Sequence, residues 1–351
     1  MKKKLWAPLM VALSILAAAG CGAKPDNSGG ASPSASVSPS ASASADAKTY
    51  SIAISQIVEH PSLDATREGF LAALKDAGIV EGQNLKVDYN NAQNDPSNNL
   101  AIAQKLASQK YDLVLAIATP SAQAVVQNVK DSPVLFAAVT DPIDAKLVDN
   151  LDKPGGNVSG ASDTNPAAIQ QLMDFIASDL PDIKTVGVIL NESEPNAVVM
   201  TNNAQQALEK HGIKLVKAPV TNTSEVKQAA ESLVGRVDAL FITLDNTVVS
   251  AVDTIIQVAN ENKIPFFSSD RDTLEKGAFA TVGFKYYDHG YQAGQMAVEV
   301  LKNGKKVGDL KVSKPEKLDL MLNLKAAEAQ GITVTDDMKK KVQDPENNII
   351  Q

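Results

Sequence analysis

From Tyr50 to Asp270 the chain repeats one unit: a short apolar run, a polar or turn-forming stop, and a segment with helical spacing. "YSIAISQI", "NLKVDYN", "DLVLAIA" and "SPVLFAAV" read as strands, and "SLDATREGFLAALKDAG", "SNNLAIAQKLASQ" and "PSAQAVVQNV" as the helices between them. Strands this apolar, alternating with amphipathic helices, require parallel sheets covered on both faces. The same order then recurs as "KTVGVIL", "PNAVVMTNNAQQALEKHG", "IKLVKAPV", "SEVKQAAESLV", "DALFITL", "TVVSAVDTIIQVANEN" and "IPFFSSD". Placing Asp112 over Asp238 sets Thr119-Pro120-Ser121 opposite Asp245-Asn246-Thr247, and Pro133 then matches Pro265. The pattern predicts an α/β protein of two similar Rossmann-like lobes.

Parallel sheets gather ligands at the carboxyl ends of their strands, where the next helices present their N-termini. Two lobes facing each other through those edges enclose a cleft. In the first lobe, Thr119 is placed as a helix cap with Pro120 in the first helical position. That leaves the N–H groups of Ser121 and Ala122, with the hydroxyls of Thr119 and Ser121, to meet an anion. Thr140 adds a donor, and Asp141 beside it an orienting carboxylate. The second lobe is acidic at the matching places, with Asp245 after one strand, Asp270 after the next, and Asn246 able to donate or accept. Asp, Asn and Thr also cap helices for purely structural reasons. A donor wall facing an acidic wall suits a zwitterion such as an α-amino acid. Glu59, His60, Pro61, Ser162, Asp163, Asn191 and Asn196 stand in further loops at the same edge and are the other candidates.

The N-terminus has a different character. Met1 and three lysines precede an apolar stretch at 5–19, which is short for a membrane span and usual for a secretory leader. It ends in Ala18-Ala19-Gly20-Cys21, small residues before the chain's single cysteine, the arrangement of a bacterial lipobox with Cys21 as the lipidated residue. The Ser/Ala/Pro-rich run that follows cannot bury enough apolar surface to order itself and reads as a tether. Residues 1–20 are therefore assigned as a signal peptide and 21–48 as the lipidated Cys and linker. Removing the leader with Lys2, Lys3 and Lys4 takes the formal charge from −8 to −11. An acidic body without a basic cluster argues against nucleic acid as a partner. Three dispersed histidines and one cysteine predict no metal site and no cofactor. The absence of phosphate-loop, dinucleotide and nucleophile-elbow motifs lowers the expectation of an enzyme.

Several linked segments carry a family resemblance: "SQIVEHPSLDATREGF", "IATPSAQA", "FAAVTDP", "NESEPNA", "TLDNTVVSA" and "GFKYYDHGYQAGQMAVEVL". Together they resemble the ABC-transporter substrate-binding proteins of the tryptophan/tyrosine-binding (TrpX-like) group, over about residues 50–335. The resemblance implies a type I periplasmic-binding-protein fold that closes on an aromatic amino acid. By that likeness Thr119, Ser121 and Thr140 would hold the α-carboxylate, and Asp245 with Asp270 the α-amino group. It also implies a membrane permease as partner, an extracytoplasmic, lipid-anchored location, and a monomer. Lobe 1 is expected over 49–160 plus about 285–309, and lobe 2 over 161–284 plus about 310–345. Hinge crossings are expected near "KPGGNVSGAS" and "TVGFKYYDHG", and the helix from Tyr286 onward is expected to return to lobe 1 through an Ala/Gly face. A sugar or nucleoside receptor, a two-lobed extracytoplasmic enzyme and a sensory subunit are the alternatives.

Overall fold

The computed structural model describes residues 48–315 and 317–351; the leader, Cys21 and nearly all of the tether lie outside them. The first sheet is built by β1 (Tyr50–Gln56), β2 (Leu85–Asn91), β3 (Leu113–Ile117), β4 (Val134–Val139) and β5 (Val158–Ser162), all parallel, in the order β2-β1-β3-β4-β5. Between these strands run α1 (Pro61–Asp76), α2 (Pro96–Ala107) and α3 (Thr119–Asn128). Proline stands in the first turn of each, where its missing N–H is of no consequence. Successive residues of β3 feed opposite cores: Leu113, Leu115 and Ile117 meet one cluster, Val114 and Ala116 the other. Both faces are dry, which explains the near-continuous apolar runs.

The chain then passes to α4 (Pro166–Asp179) and a second sheet. Its elements are β6 (Thr185–Leu190), α5 (Pro195–Glu209), β7 (Lys214–Pro219), α6 (Val226–Leu233), β8 (Ala239–Ile242), α7 (Asn246–Val249), α8 (Val252–Asn262), β9 (Phe266–Ser268), α9 (Arg271–Lys276) and β10 (Ala280–Gly283). From β10 the chain returns as α10 (Tyr286–Leu301) to the first sheet, then comes back through β11 (Asp319–Asn323), α11 (Leu324–Ala329), α12 (Asp336–Lys340), α13 (Pro345–Asn348) and β12 (Ile349–Ile350). The strand order is β12-β11-β10-β9-β8-β6-β7. One pair departs from the all-parallel expectation: β11 runs antiparallel to β10, because the chain re-enters from the other sheet rather than through a crossover helix. The segment read as one helix from Thr247 to Asn262 is two, broken at Ala251.

The internal repeat is visible in a shared contact. Asp112 Oδ2 accepts from Ser51 N at the start of β1 (2.8 Å), and Asp238 Oδ2 from Lys184 N and Thr185 N at the start of β6 (2.9 and 2.8 Å). Three segments connect the sheets: Asp163–Asn165, Phe284–Lys285, and the stretch between Ser313 and β11. Ser313 still pairs with β5, accepting from Ser162 N (2.8 Å) and donating to Gly160 O (3.0 Å). The helix α10 lies against α1 at backbone distance. A Cβ on Gly290 would sit 1.9 Å from Thr66 O, and one on Gly69 2.0 Å from Tyr287 O. Leu244, just beyond β8, packs against a core cluster of each sheet.

Candidate functional site

The carboxyl edges of the two sheets face one another, and the first sheet's edge is held in an unusual backbone shape. Ala118, directly after β3, has φ 78° and ψ 153°, and Ala138 near the end of β4 has φ 53°. Side chains are disfavoured at both, so a small residue in each limits the strain, and such strain gathers at functional edges. The shape is braced. Ala118 N donates to Ala137 O (3.0 Å), and Ala138 N donates to His289 Nε2 (3.0 Å). Accepting at Nε2 leaves the neutral ring's proton on Nδ1, and burial pushes the His289 pKa down to about 4.

Between the edges lies a small, largely enclosed cavity of about 20 Å³. The first-sheet side contributes His60, Ser62 and Leu63 at the start of α1, then Ala138 and Thr140 after β4, and Asp163 after β5. The second-sheet side contributes Asn196, Leu244, Asn246 and Asp270, and Tyr286 opens α10 beside them. Polar atoms without a protein partner concentrate here: both ring nitrogens of His60, Asn196 Oδ1 and Asp270 Oδ2. Asp270 is 1 % exposed; its Oδ1 accepts from Thr273 N (2.7 Å) and Ser62 Oγ (3.2 Å), leaving Oδ2 open. Buried groups of this kind normally have partners, so four such atoms on one small cavity mark a place for a polar ligand.

The electrostatics lean one way. Burial raises the pKa of Asp270, and raises that of Asp163 to about 6 against hydrogen bonds from Tyr286 Oη (3.0 Å) and Thr164 Oγ1 (3.1 Å). Burial also lowers His60 to about 4, opposed by Asn246 and the charge of Glu194, so its ring is neutral. Among the described residues, no Lys or Arg lines the cavity. Its two carboxyls, Asp163 and Asp270, would be stabilised in their ionised forms by a bound cation.

Behind the second wall lies a carboxyl pair. Glu194 accepts from Asn246 N (3.0 Å) and Nδ2 (2.6 Å), from Asn196 Nδ2 (3.0 Å), and from Thr247 N (2.9 Å) and Oγ1 (2.8 Å). It thereby positions both amides that reach the cavity. Asp245 is fully buried; its oxygens accept from Asn191 N and Val248 N (3.0 Å), so it caps α7 and ties it to the end of β6. Burial, then the charge of Glu194, raises its pKa well above the carboxylate range.

Of the sequence-derived candidates, His60, Thr140, Asp163, Asn196, Asn246 and Asp270 reach the cavity wall. The others stand off it. Asp245 lies one layer back, as described. Thr119 occupies the first turn of α3 rather than its cap and accepts from Thr140 N (3.4 Å), while Ser121 donates to Asn99 Oδ1 (3.2 Å). Ser162 donates to the Thr140 carbonyl (3.1 Å). Asp141 closes a turn on the N–H groups of Ile143 and Asp144, and Glu59 is exposed and accepts from Tyr89 Oη (3.0 Å). Ser62, Glu194 and Tyr286 were outside the candidate set. Their signal was position: each stands next to a strand end or helix start at the same edge.

Among the described residues, side-chain bonds from Ser62 Oγ to Asp270 Oδ1 and from Asn94 Nδ2 to Thr247 Oγ1 (2.9 Å) hold the two facing edges together. The profile of the family described as "ABC transporter substrate binding protein" matches residues 51–344. A tyrosine-binding protein of Clostridioides difficile is 42 % identical over 303 residues, 86 % of each chain. Among solved structures, the ABC domain from Streptococcus pneumonia in complex with L-Trp superimposes with a TM-score of 0.78 at 34 % identity, covering 86 % of this chain and all of that one. The ligand-free, open form of a Clostridium difficile substrate binding protein with adhesive properties is 40 % identical but reaches only 0.63, over 86 % and 98 % of the two chains. The less identical but liganded relative fits better, in keeping with the cross-cleft bonds. More distant sugar- and leucine-binding proteins, 18 % identical or less, share the fold of type I periplasmic binding proteins.

Proposed function

The chain belongs to the ABC transporter substrate-binding proteins, and on that premise we propose that it captures an α-amino acid, aromatic in preference, outside the cytoplasm and delivers it to a membrane permease. The observation that carries this reading is the closed cavity with its open carboxylate oxygen on Asp270, a second buried carboxyl on Asp163, and no cationic side chain. The α-ammonium is assigned to Asp270 Oδ2, with Asn196 Oδ1 accepting beside it and Asp163 adding charge. The α-carboxylate is assigned to the start of α1. There Pro61 leads the helix, no side chain caps it, and the first-turn N–H groups of Ser62 and Leu63 join the neutral ring of His60 and the Thr140 hydroxyl. Relatives named for tyrosine binding and solved with L-Trp support the aromatic preference.

In this reading the two sheets are separate lobes, hinged on the three connecting segments, and the ligand's differential contact with the closed form drives closure. Asp245 and Glu194 are positioning groups rather than ligand contacts. The protein acts as a monomer held to the membrane through lipidated Cys21, and it performs no chemistry on its cargo. Calorimetric titration of the protein against a panel of amino acids, sugars and nucleosides tests the reading. Stoichiometric binding of an aromatic amino acid that is lost in Asp270→Asn supports it; binding of a sugar in preference, or turnover of the ligand, overturns it. Membrane release of a Cys21→Ser variant tests the anchor.

A further inference from the structure

The cavity owes part of one wall to an extra residue in β4. The register of β4 on β5 runs Val134–Val158, Leu135–Ser159 and Phe136–Gly160, then resumes at Val139–Ser162, three steps on one strand against two on the other. Such a bulge re-aims the side chains beyond it. The cores record the change: Val134, Phe136 and Val139 feed one cluster, and Leu135, Ala137 and Ala138 the other. Alternation is broken between Ala137 and Ala138, so Thr140 falls on the face of Ala138, and both line the cavity. Without the extra residue Thr140 would fall on the opposite face. Gly160 makes room for the bulge, since a Cβ there would lie 2.1 Å from the Phe136 carbonyl oxygen.

Ala138 bears the strain of the bulge. Its φ of 53° lies in a region that alanine disfavours, and it pairs with neither β3 nor β5. Its N–H goes instead to His289 Nε2 on α10 (3.0 Å). His289 is 4 % exposed, and its ring packs on Phe284 in a connecting segment (centroids 5.5 Å apart) and on Tyr286 (6.1 Å). The next residue, Gly290, meets Thr66 of α1 at backbone distance, so the acceptor comes from a firmly seated helix. We infer that His289 is a positioning residue for ligand capture: by accepting from Ala138 N it holds the bulge in the shape that turns Thr140 into the cavity. The inference rests on the proposed reading that this cavity takes the ligand; His289 stands behind the wall, not on it. Without the bond a buried N–H loses its partner and Ala138 is released toward negative φ, which undoes the re-aiming. Tyr286, one turn earlier, bonds Asp163 (3.0 Å), so the start of α10 braces two groups of the cavity wall as it leaves the connecting segment.

The test uses His289→Gln, whose Oε1 can stand where Nε2 does, His289→Leu, which fills the space without an acceptor, and His289→Asn, whose oxygen stops short. L-Tryptophan and L-tyrosine are titrated against each variant, alone and combined with Ala138→Gly. His289→Leu leaves the N–H unpaired and is expected to weaken both ligands roughly tenfold or more, while His289→Gln stays within about threefold of the wild type. Glycine takes a positive φ without strain, so the loss caused by His289→Leu is expected to shrink by about threefold or more in the Ala138→Gly background. In the ligand-free protein the Ala138 amide should exchange its hydrogen roughly tenfold faster in His289→Leu, and near the wild-type rate in His289→Gln. A histidine that serves only the fold would lower the urea midpoint and leave the affinity of the folded protein unchanged. His289→Asn should behave as His289→Leu does, and replaces it if the apolar variant does not fold. Wild-type affinity in His289→Leu and His289→Asn, or an equal loss with and without Ala138→Gly, overturns the positioning role and leaves the proposed function intact. A wild type that binds neither ligand overturns the aromatic amino-acid reading, and exchange at Ala138 then decides the brace alone.

Discussion

The buried carboxyl of Asp163 should act against closure of the empty cleft, and its removal should be measurable without any ligand. In the closed form burial raises its pKa from 3.8 to about 6. In an open cleft, where water reaches it, the carboxyl returns toward 3.8. The sign follows from that order: the protonated form favours the closed state, the ionised form opposes it, and the opposition is complete above pH 6. At about 1.4 kcal/mol per pKa unit, the two-unit difference costs the closed state about 3 kcal/mol at pH 7.5, roughly a hundredfold in the closure equilibrium. Asp163→Asn keeps an oxygen to accept from Tyr286 and carries no charge, so it should recover most of that. At pH 5 the wild-type carboxyl is already largely protonated when closed, and the gain should shrink to about 2 kcal/mol. Dyes on Lys130→Cys and Glu231→Cys, exposed positions in opposite lobes, with Cys21→Ser, would report the distance by energy transfer. The ligand-free variant should be more closed than the wild type at pH 7.5, with the gap narrowing at pH 5. An unchanged distance, or a gap that widens on acidification, would refute the reasoning.

The same carboxyl ionises near 3.8 in the open, ligand-free cleft, so amino-acid affinity should stay nearly flat between pH 7.5 and 5 and fall, by at most tenfold per pH unit, only as pH drops through about 4, because the bound ammonium requires the ionised form; calorimetry between pH 7.5 and 3.5 checks it, and a fall that begins near pH 6 contradicts it. Ser62→Ala removes a cross-cleft bond to a carboxylate, worth roughly 1.5–3 kcal/mol, and should weaken binding about tenfold or more with little change in the unfolding of the ligand-free protein. Gly290→Ala places a Cβ 1.9 Å from a backbone oxygen of α1; overpacking of about 1–3 kcal/mol should outweigh the gain of about 1 kcal/mol in helix propensity, lowering the urea midpoint, and an unchanged midpoint would show that α10 shifts freely.

The order of strands and helices was legible because parallel strands buried on both faces leave uninterrupted apolar runs, and because Pro61, Pro96, Pro120, Pro166 and Pro195 stand in the first turns of their helices. The antiparallel β11 was not legible, since its direction depends on where the chain crosses back and not on its own residues. Asp245 and Asp270 show the limit at the site. Both follow a strand, both cap the next helix, and nothing in the sequence separates them. The difference is tertiary: Asn191 N and Val248 N occupy the two oxygens of Asp245, whereas Asp270 keeps one free. Glu194 precedes a helix-opening proline, as a cap would, yet it organises Asn196 and Asn246 from across two loops. Distances of that kind follow only from the core in which α5 and β8 residues meet.

The most direct test of the central claim is a fluorescence titration. Trp6 is the chain's sole tryptophan, so a protein beginning at residue 22 contains none. Freed of any carried ligand and excited beyond the tyrosine band, it should take up tryptophan with a saturable blue shift, as the indole passes from water into the closed cleft. Tyrosine or phenylalanine should reverse the shift by competition, and Asp270→Asn should abolish it. Emission that stays that of free tryptophan, while the same protein saturates with a sugar or a nucleoside, would contradict the account.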